Sequence, residues 1–97
     1  MNLRWDRRAL QDLHDIRAYI AANASPAAAA RVRGHLRARI DPLRANPFIG
    51  VTSSNPDIRV LPPTRYPYRI YYSIQSDEIV VLHTRHTARR APDDMSL

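Results

Sequence analysis

The stretch RYPYRIYYSIQSDEIVVLHTRH, residues 65–86, decides the fold of this chain and carries its most unusual chemistry. Two runs rich in β-branched and aromatic residues, 66–74 and 79–86, flank the polar segment 75–78, which is typical of two antiparallel strands joined by a tight turn. Arginine, tyrosine and histidine stand where a purely structural hairpin carries threonine and valine. Because side chains alternate across a strand, such residues can collect on one open face, and a cationic face binds anions.

Length and composition narrow the class of protein. The 97 residues suit one domain over 1–90 with a polar tail at 91–97. The chain has no cysteine, so no disulfide framework or thiolate metal site is available, and neither a metal nor another cofactor is expected. No apolar run approaches the roughly 20 residues that span a bilayer, which predicts a cytoplasmic protein without a membrane partner.

The charge points to acidic partners. The formal net charge is +6, and all 15 basic side chains are arginine. Arginine offers a rigid donor fork that suits phosphates and carboxylates, although codon usage explains the absence of lysine equally well. Nucleic acid or an acidic protein segment is the partner that such a surface favours.

Two helices are predicted before the hairpin. Residues 7–22 carry apolar side chains at helical spacing, and the carboxylate of Asp6 can cap the first turn. The second helix begins after Ser25, with proline at its first position. It is expected to kink or end near Asp41, because Pro42 removes a backbone donor.

Short strands at 3–5 and 58–61 complete the order β-α-α-β-β-β, with 51–57 read as polar turn. The strand at 58–61 is expected to lie antiparallel beside the one at 3–5, and the hairpin strands follow as a meander. We therefore predict an α+β domain in which a helix hairpin packs on one face of a four-stranded antiparallel sheet.

The other face of that sheet is the predicted functional surface. Assigning the more apolar side of each strand, including Val80, Leu82 and Thr84, to the helices leaves a cationic set without any carboxylate facing outward. Its members are Arg59, Arg69, Tyr71, His83 and Arg85. Arg65, His86, Arg89 and Arg90 lie at the rim of this set and are further candidates for binding an anionic target. A merely solvated face is the alternative interpretation.

Two other patterns concern metal binding and the binding of a partner helix. His83 and His86 stand three residues apart on a strand, so they should point to opposite faces, and no cysteine or carboxylate cluster completes a metal site. Arg33, Arg37 and Arg44 flank the apolar seam of the second helix. Two interpretations stand side by side: their stems cover the core edge, or they rim a groove for an amphipathic partner helix.

In this order and spacing, several short blocks resemble the RelE/ParE superfamily of toxins from bacterial type II toxin–antitoxin modules. The blocks are Ala9…Asp12-Leu13…Ile16…Tyr19-Ile20, Leu43…Asn46-Pro47…Gly50, Ile58-Arg59-Val60-Leu61, Tyr68-Arg69-Ile70-Tyr71-Tyr72 and Ile79-Val80-Val81-Leu82…His86…Arg89. The resemblance implies the β-α-α-β-β-β fold and a toxin that a tightly bound cognate antitoxin neutralises.

For the RelE-like branch the resemblance implies ribosome-dependent cleavage of mRNA. Arg69 and Arg85 would then hold phosphate, and His83 or His86 would act as general acid or base. The sequence departs from that branch, because its lysines are missing and Thr87 follows the last histidine where several members place tyrosine.

For the ParE-like branch the resemblance implies poisoning of DNA gyrase without a catalytic site of the toxin's own. The helix pair and the His86…Arg89 ending are more similar to this branch, which we favour. Whether the protein is an enzyme stays open at this point. A nucleic-acid-binding domain without toxicity is the third alternative.

Overall fold

The computed structural model describes residues 1–88 and contains two helices on a mixed five-stranded sheet. The elements are β1 (Asn2–Trp5), α1 (Arg7–Asn23), α2 (Pro26–Ile40), a 3₁₀ turn (Asp41–Arg44), β2 (Val51–Thr52), β3 (Arg59–Leu61), β4 (Tyr68–Gln75) and β5 (Glu78–His86). The α+β class and the helix pair are confirmed. The short strand β2 was not predicted, because its two residues lie in a segment that reads as turn.

The helix boundaries follow from local capping. The side chain of Asp6 accepts a hydrogen bond from the backbone N–H of Arg8 at 3.3 Å. At the start of α2, Ser25 Oγ accepts one from Ala28 N–H at 3.0 Å. Each cap satisfies a donor that the first turn of a helix leaves free. The chain tightens into the 3₁₀ turn where Pro42 was expected to end α2.

The position of β1 differs from the prediction. The strand order is β1-β5-β4-β3-β2, and β1 runs parallel to β5 with Leu3 opposite Ile79 and Trp5 opposite Val81. The helix hairpin carries the chain across the sheet, so β3 pairs with β4 and never reaches β1. The uninterrupted apolar run at 79–82 is typical of a strand with neighbours on both sides. This run was the feature of the sequence that could have predicted a central position for β5.

The main core lies between the sheet and the helices. Strands β4 and β5 contribute Ile70, Tyr72, Ile79 and Val81 to it, and α2 contributes Leu36 and Ile40. A second, smaller cluster comprises Ile58, Tyr71, Val80 and Leu82, with Val60 packed against it. The assignment of Val80 and Leu82 to the helix side was therefore wrong. Since β5 is apolar on both faces at 79–82, alternation could not tell which side faces the helices.

Candidate functional site

Two of the predicted cations lie together on the face of the sheet that is turned away from the helices. Arg69 of β4 and Arg85 of β5 are cross-strand partners in the register. Both are half-buried. The buried Nε of Arg85 has no hydrogen-bond partner in the described part of the chain. A pair of guanidinium groups in this position can bind an anionic group bidentately.

Arg59 does not join this pair, contrary to the prediction. It lies opposite Tyr72, whose side chain is in the helix-side core, so Arg59 leaves the sheet on that side. Its guanidinium donates to the carbonyl oxygens of Gly50 at 3.1 Å and Phe48 at 3.3 Å. The same group lies 5.2 Å from the centre of the Phe48 ring. Arg59 therefore holds the loop before β2 and does not lie on the face where it was expected.

Tyr71 is on the expected face but is not available to solvent. Its side chain is 4% exposed and packs in the small cluster with Ile58, Val80 and Leu82. The face that was predicted to be open and polar thus contains an apolar patch beside the arginine pair. The prediction that Tyr71 faces solvent is wrong, because the neighbouring strands bury its ring.

His83 is held by a carboxylate from α1. Its Nδ1 donates to Asp12 Oδ2 at 3.3 Å, and the same oxygen accepts the backbone N–H of Thr84 at 3.0 Å. Strand β1 ends opposite Val81, so the later part of β5 lacks a strand on that edge and its amides need another acceptor. A register shift opposite Tyr71 and Tyr72 also breaks the simple alternation here.

The prediction that no carboxylate accompanies the histidines and arginines is therefore corrected. Asp12, Asp15 and Tyr19 recur at three- and four-residue steps, which places them on one face of α1. That face lies against the end of β5. The spacing was visible in the sequence, but nothing in the sequence indicated that α1 would lie beside this strand.

His86 lies on the helix side of the sheet. Its ring meets the Tyr68 ring edge-on, with 5.4 Å between ring centres. Its Nδ1 accepts the backbone N–H of Ala88 at 3.0 Å, so in the neutral ring the proton is on Nε2. His86 is therefore separated from the arginine pair by the sheet itself.

A cleft of about 490 Å³ opens between α1 and the ends of β4 and β5. Burial raises the pKa of the Tyr68 phenol above its ordinary value, and the nearby Tyr19 phenol adds to that shift. The residues that line the cleft are Asp12, Asp15, Ile16, Tyr19, Tyr68, Thr84, Arg85 and His86. Two of the four catalytic candidates, Arg85 and His86, thus border a site that the sequence did not predict.

The remaining basic candidates are spread over other surfaces. Arg33 and Arg37 on α2, and Arg44 in the 3₁₀ turn, are exposed. Arg65 is also exposed and lies over the Tyr66 ring at 5.8 Å from its centre. The candidates Arg89 and Arg90 and the tail 91–97 lie outside the described residues.

Two kinds of feature are absent from the described residues. Within residues 1–88, no group of three or more histidine, cysteine or acidic side chains is arranged to hold a metal ion. Neither described helix combines the length and the apolar content that crossing a membrane requires.

The fold is similar to those of several solved toxin structures. The chain is similar to a structure described as the chromosomal ParDE TA system from P. aeruginosa, with a TM-score of 0.81 and 27% identity over 89% of this chain and 95% of that one. It also matches the isolated E. coli RelE toxin, with a TM-score of 0.67 and 18% identity over 92% of this chain and 86% of that one.

A third likeness is to the intact E. coli RelBE toxin–antitoxin complex, with a TM-score of 0.66 and 19% identity over 92% of this chain and 98% of that one. At such identities the two E. coli structures show a shared fold alone. A search of curated proteins found no significant match. The family model described as the ParE toxin of the type II toxin–antitoxin system parDE matches residues 3–91, and the chain therefore belongs to the ParE toxin family.

Proposed function

We propose that this protein poisons DNA gyrase and that a cognate antitoxin neutralises it. The match of the ParE model to residues 3–91 is the observation that carries the proposal. ParE-like toxins are the branch of the superfamily associated with gyrase. The likeness to a ParDE toxin–antitoxin system supports an antitoxin as the second partner.

The two candidate histidines differ in their position relative to the arginine pair. A general acid or base must come within about 3 Å of the proton that it moves, directly or through one water. The arginine pair, Arg69 and Arg85, lies on the far face of the sheet. His83 is engaged by Asp12, and His86 contacts Tyr68 on the helix side. His86 is thus separated from the arginine pair by the sheet, whereas His83 lies opposite Tyr71, on the same face as the pair, with its Nδ1 bonded to Asp12.

The first test is gyrase activity with purified toxin. We expect the wild-type protein to inhibit supercoiling and to trap the cleaved complex of gyrase with DNA. For the double variant Arg69→Ala/Arg85→Ala, the concentration that gives the same inhibition should be at least roughly tenfold higher than for wild type, because the variant lacks both charges of the pair. Arg31→Ala is the matched control, since Arg31 is an exposed arginine of α2. It should inhibit like wild type.

A parallel assay of mRNA cleavage on translating ribosomes tests the alternative. Ribosome-dependent cuts that Arg69→Ala or His86→Ala abolishes, with gyrase unaffected, would replace the gyrase proposal by a RelE-like endoribonuclease. Binding to nucleic acid with a steep salt dependence, without either activity, would favour the non-toxic alternative.

The antitoxin surface is a separate prediction. The side chains of Arg33, Arg37 and Arg44 are exposed, and none of them forms a hydrogen bond with the described residues. Changing all three to glutamate should weaken binding of the protein encoded beside the toxin gene by roughly tenfold or more, measured by titration calorimetry. Arg31→Glu on the same helix is the control. Equal affinities of the triple variant and wild type would assign these arginines to solvation of the helix surface.

A further inference from the structure

The cleft between α1 and the ends of β4 and β5 has no role in the proposed function. Its volume is about 490 Å³, and it lies on the helix side of the sheet. Arg85 borders it, but Thr84 pairs with the core residue Ile70, so the Arg85 side chain leaves the strand on the opposite face. The groups directed towards the helix side are carboxylates, phenols, a hydroxyl and an imidazole.

Two carboxylates of the cleft retain unused acceptor oxygens. Asp12 uses Oδ2 for His83 and for the Thr84 amide. Asp15 accepts through Oδ1 from the Gln11 side-chain amide at 2.8 Å. Within residues 1–88 neither carboxylate is paired with an arginine, although the chain has 15 basic side chains. Of the two carboxylates, Asp12 is paired only with the His83 imidazole and Asp15 with no basic group of the described residues, an arrangement that favours a cationic ligand over phosphate.

A buried hydroxyl gives an independent indication of a ligand. Thr84 is 3% exposed and lines the cleft, and its Oγ1 has no hydrogen-bond partner in the described part of the chain. Leaving a buried hydroxyl unpaired is costly, and most such groups in folded proteins have a partner. A ligand with several N–H donors would supply one.

The walls of the cleft suit a flat cation. Tyr68 comes from β4 and Tyr19 from α1, and 68% of the Tyr19 surface is exposed. A guanidinium group is planar, stacks on aromatic rings and has five donors in a fork that fits carboxylates. An ammonium group has only three donors and is more strongly hydrated.

We propose that this cleft binds the guanidinium group of an arginine side chain carried by a partner protein. The carboxylates of Asp12 and Asp15 accept its N–H donors, Thr84 Oγ1 accepts another, and the tyrosine rings cover its faces. This site is separate from the arginine pair, so the proposal does not depend on gyrase being the target.

The test is a titration of the ¹⁵N-labelled full chain with N-acetyl-arginine N-methylamide, followed by NMR. We expect saturable shifts of the amides at 12–19 and 84–86, with a dissociation constant on the order of millimolar for so small a ligand. The matched citrulline amide has the same shape without the charge and should bind at least about fivefold more weakly.

Two substitutions test whether Asp15 contacts the arginine ligand. Asp15→Asn should weaken arginine binding by roughly fivefold, because it removes a charge without removing the acceptor. Asp77→Asn is the control, since Asp77 is an exposed carboxylate in the turn between β4 and β5. Equal binding of the citrulline amide, equal effects of the two variants, or no saturable shift at 84–86 would each overturn the proposal.

Two other occupants are outcomes of the same titration. If guanosine saturates these amides and the arginine amide does not, the cleft binds a nucleobase instead. If the arginine amide binds only to the variant Arg89→Ala/Arg90→Ala, the occupant is an arginine of this chain and the proposed partner is excluded.

Discussion

Replacing Gly50 with alanine is expected to destabilise the protein by about 3 kcal/mol. A Cβ at this position would lie 2.6 Å from Tyr72 Oη and 2.9 Å from the backbone oxygen of Val60. Tyr72 is fully buried, so its ring has little room to move. Its hydroxyl also accepts the Gly50 N–H at 2.9 Å and donates to the Pro47 carbonyl oxygen at 2.7 Å. The measurement is the free energy of unfolding from urea denaturation.

Gly34→Ala is the matched control for this substitution. Gly34 lies within α2, and a Cβ there would meet no atom within 4 Å. Alanine is favoured over glycine inside a helix, so this variant should be more stable than wild type by about 0.5–1 kcal/mol. Opposite signs for the two variants are the expected result. A Gly50→Ala protein as stable as wild type would contradict the close approach of Tyr72 to the loop.

Replacing Asp12 with alanine should cost about 2–3 kcal/mol of folding stability. The substitution removes the only acceptor described for the Thr84 amide and leaves the buried His83 without its partner. Strand β1 does not extend along this part of β5, so no neighbouring strand can take over the bond. Urea denaturation measures the loss of stability. The free energy of opening that hydrogen exchange gives for the Thr84 amide should fall by a similar amount.

Two variants separate the parts of this effect. Asp12→Asn keeps an oxygen acceptor and should lose roughly half as much stability. Asp15→Ala removes an exposed carboxylate whose described bond is to Gln11, so it should change stability by no more than about 0.5 kcal/mol. Equal losses for Asp12→Ala and Asp15→Ala would show that the contact with β5 is not what makes Asp12 important.

Much of the local structure could be predicted because its causes are local. The Asp6 and Ser25 caps and the helix end before Pro42 depend on residues within one turn of each other. The hairpin of β4 and β5 likewise depends on neighbouring runs. Strand β2 was missed because it has only two residues, and only its pairing with β3 makes it a strand.

The candidate site was predicted less well. Arg69 and Arg85 were expected on the far face and are neighbours there. Alternation accounts for Arg69, but Arg85 lies on that face because the register shift separates it from Ile79 and Val81, which are in the helix-side core. Arg59 and His83 were also expected on that face. Arg59 instead lies on the helix side and bonds to the Gly50 and Phe48 carbonyls, whereas His83 lies on the expected face and bonds to Asp12, a partner that was not expected. These partners lie between nine and 71 residues away along the chain. The periodicity of apolar residues within one strand or helix does not predict contacts over such separations.

The amino-acid sequence by itself determined the two helices, the β4–β5 hairpin and the similarity to a toxin superfamily, because these depend on short-range patterns of apolar, capping and turn residues. Only the tertiary structure decided that β1 runs parallel beside β5, that α1 brings Asp12 to the uncovered edge of that strand, and that a cleft opens between them. The physical reason is that strand pairing and helix docking are settled by which distant surfaces bury each other and which backbone donors still need an acceptor.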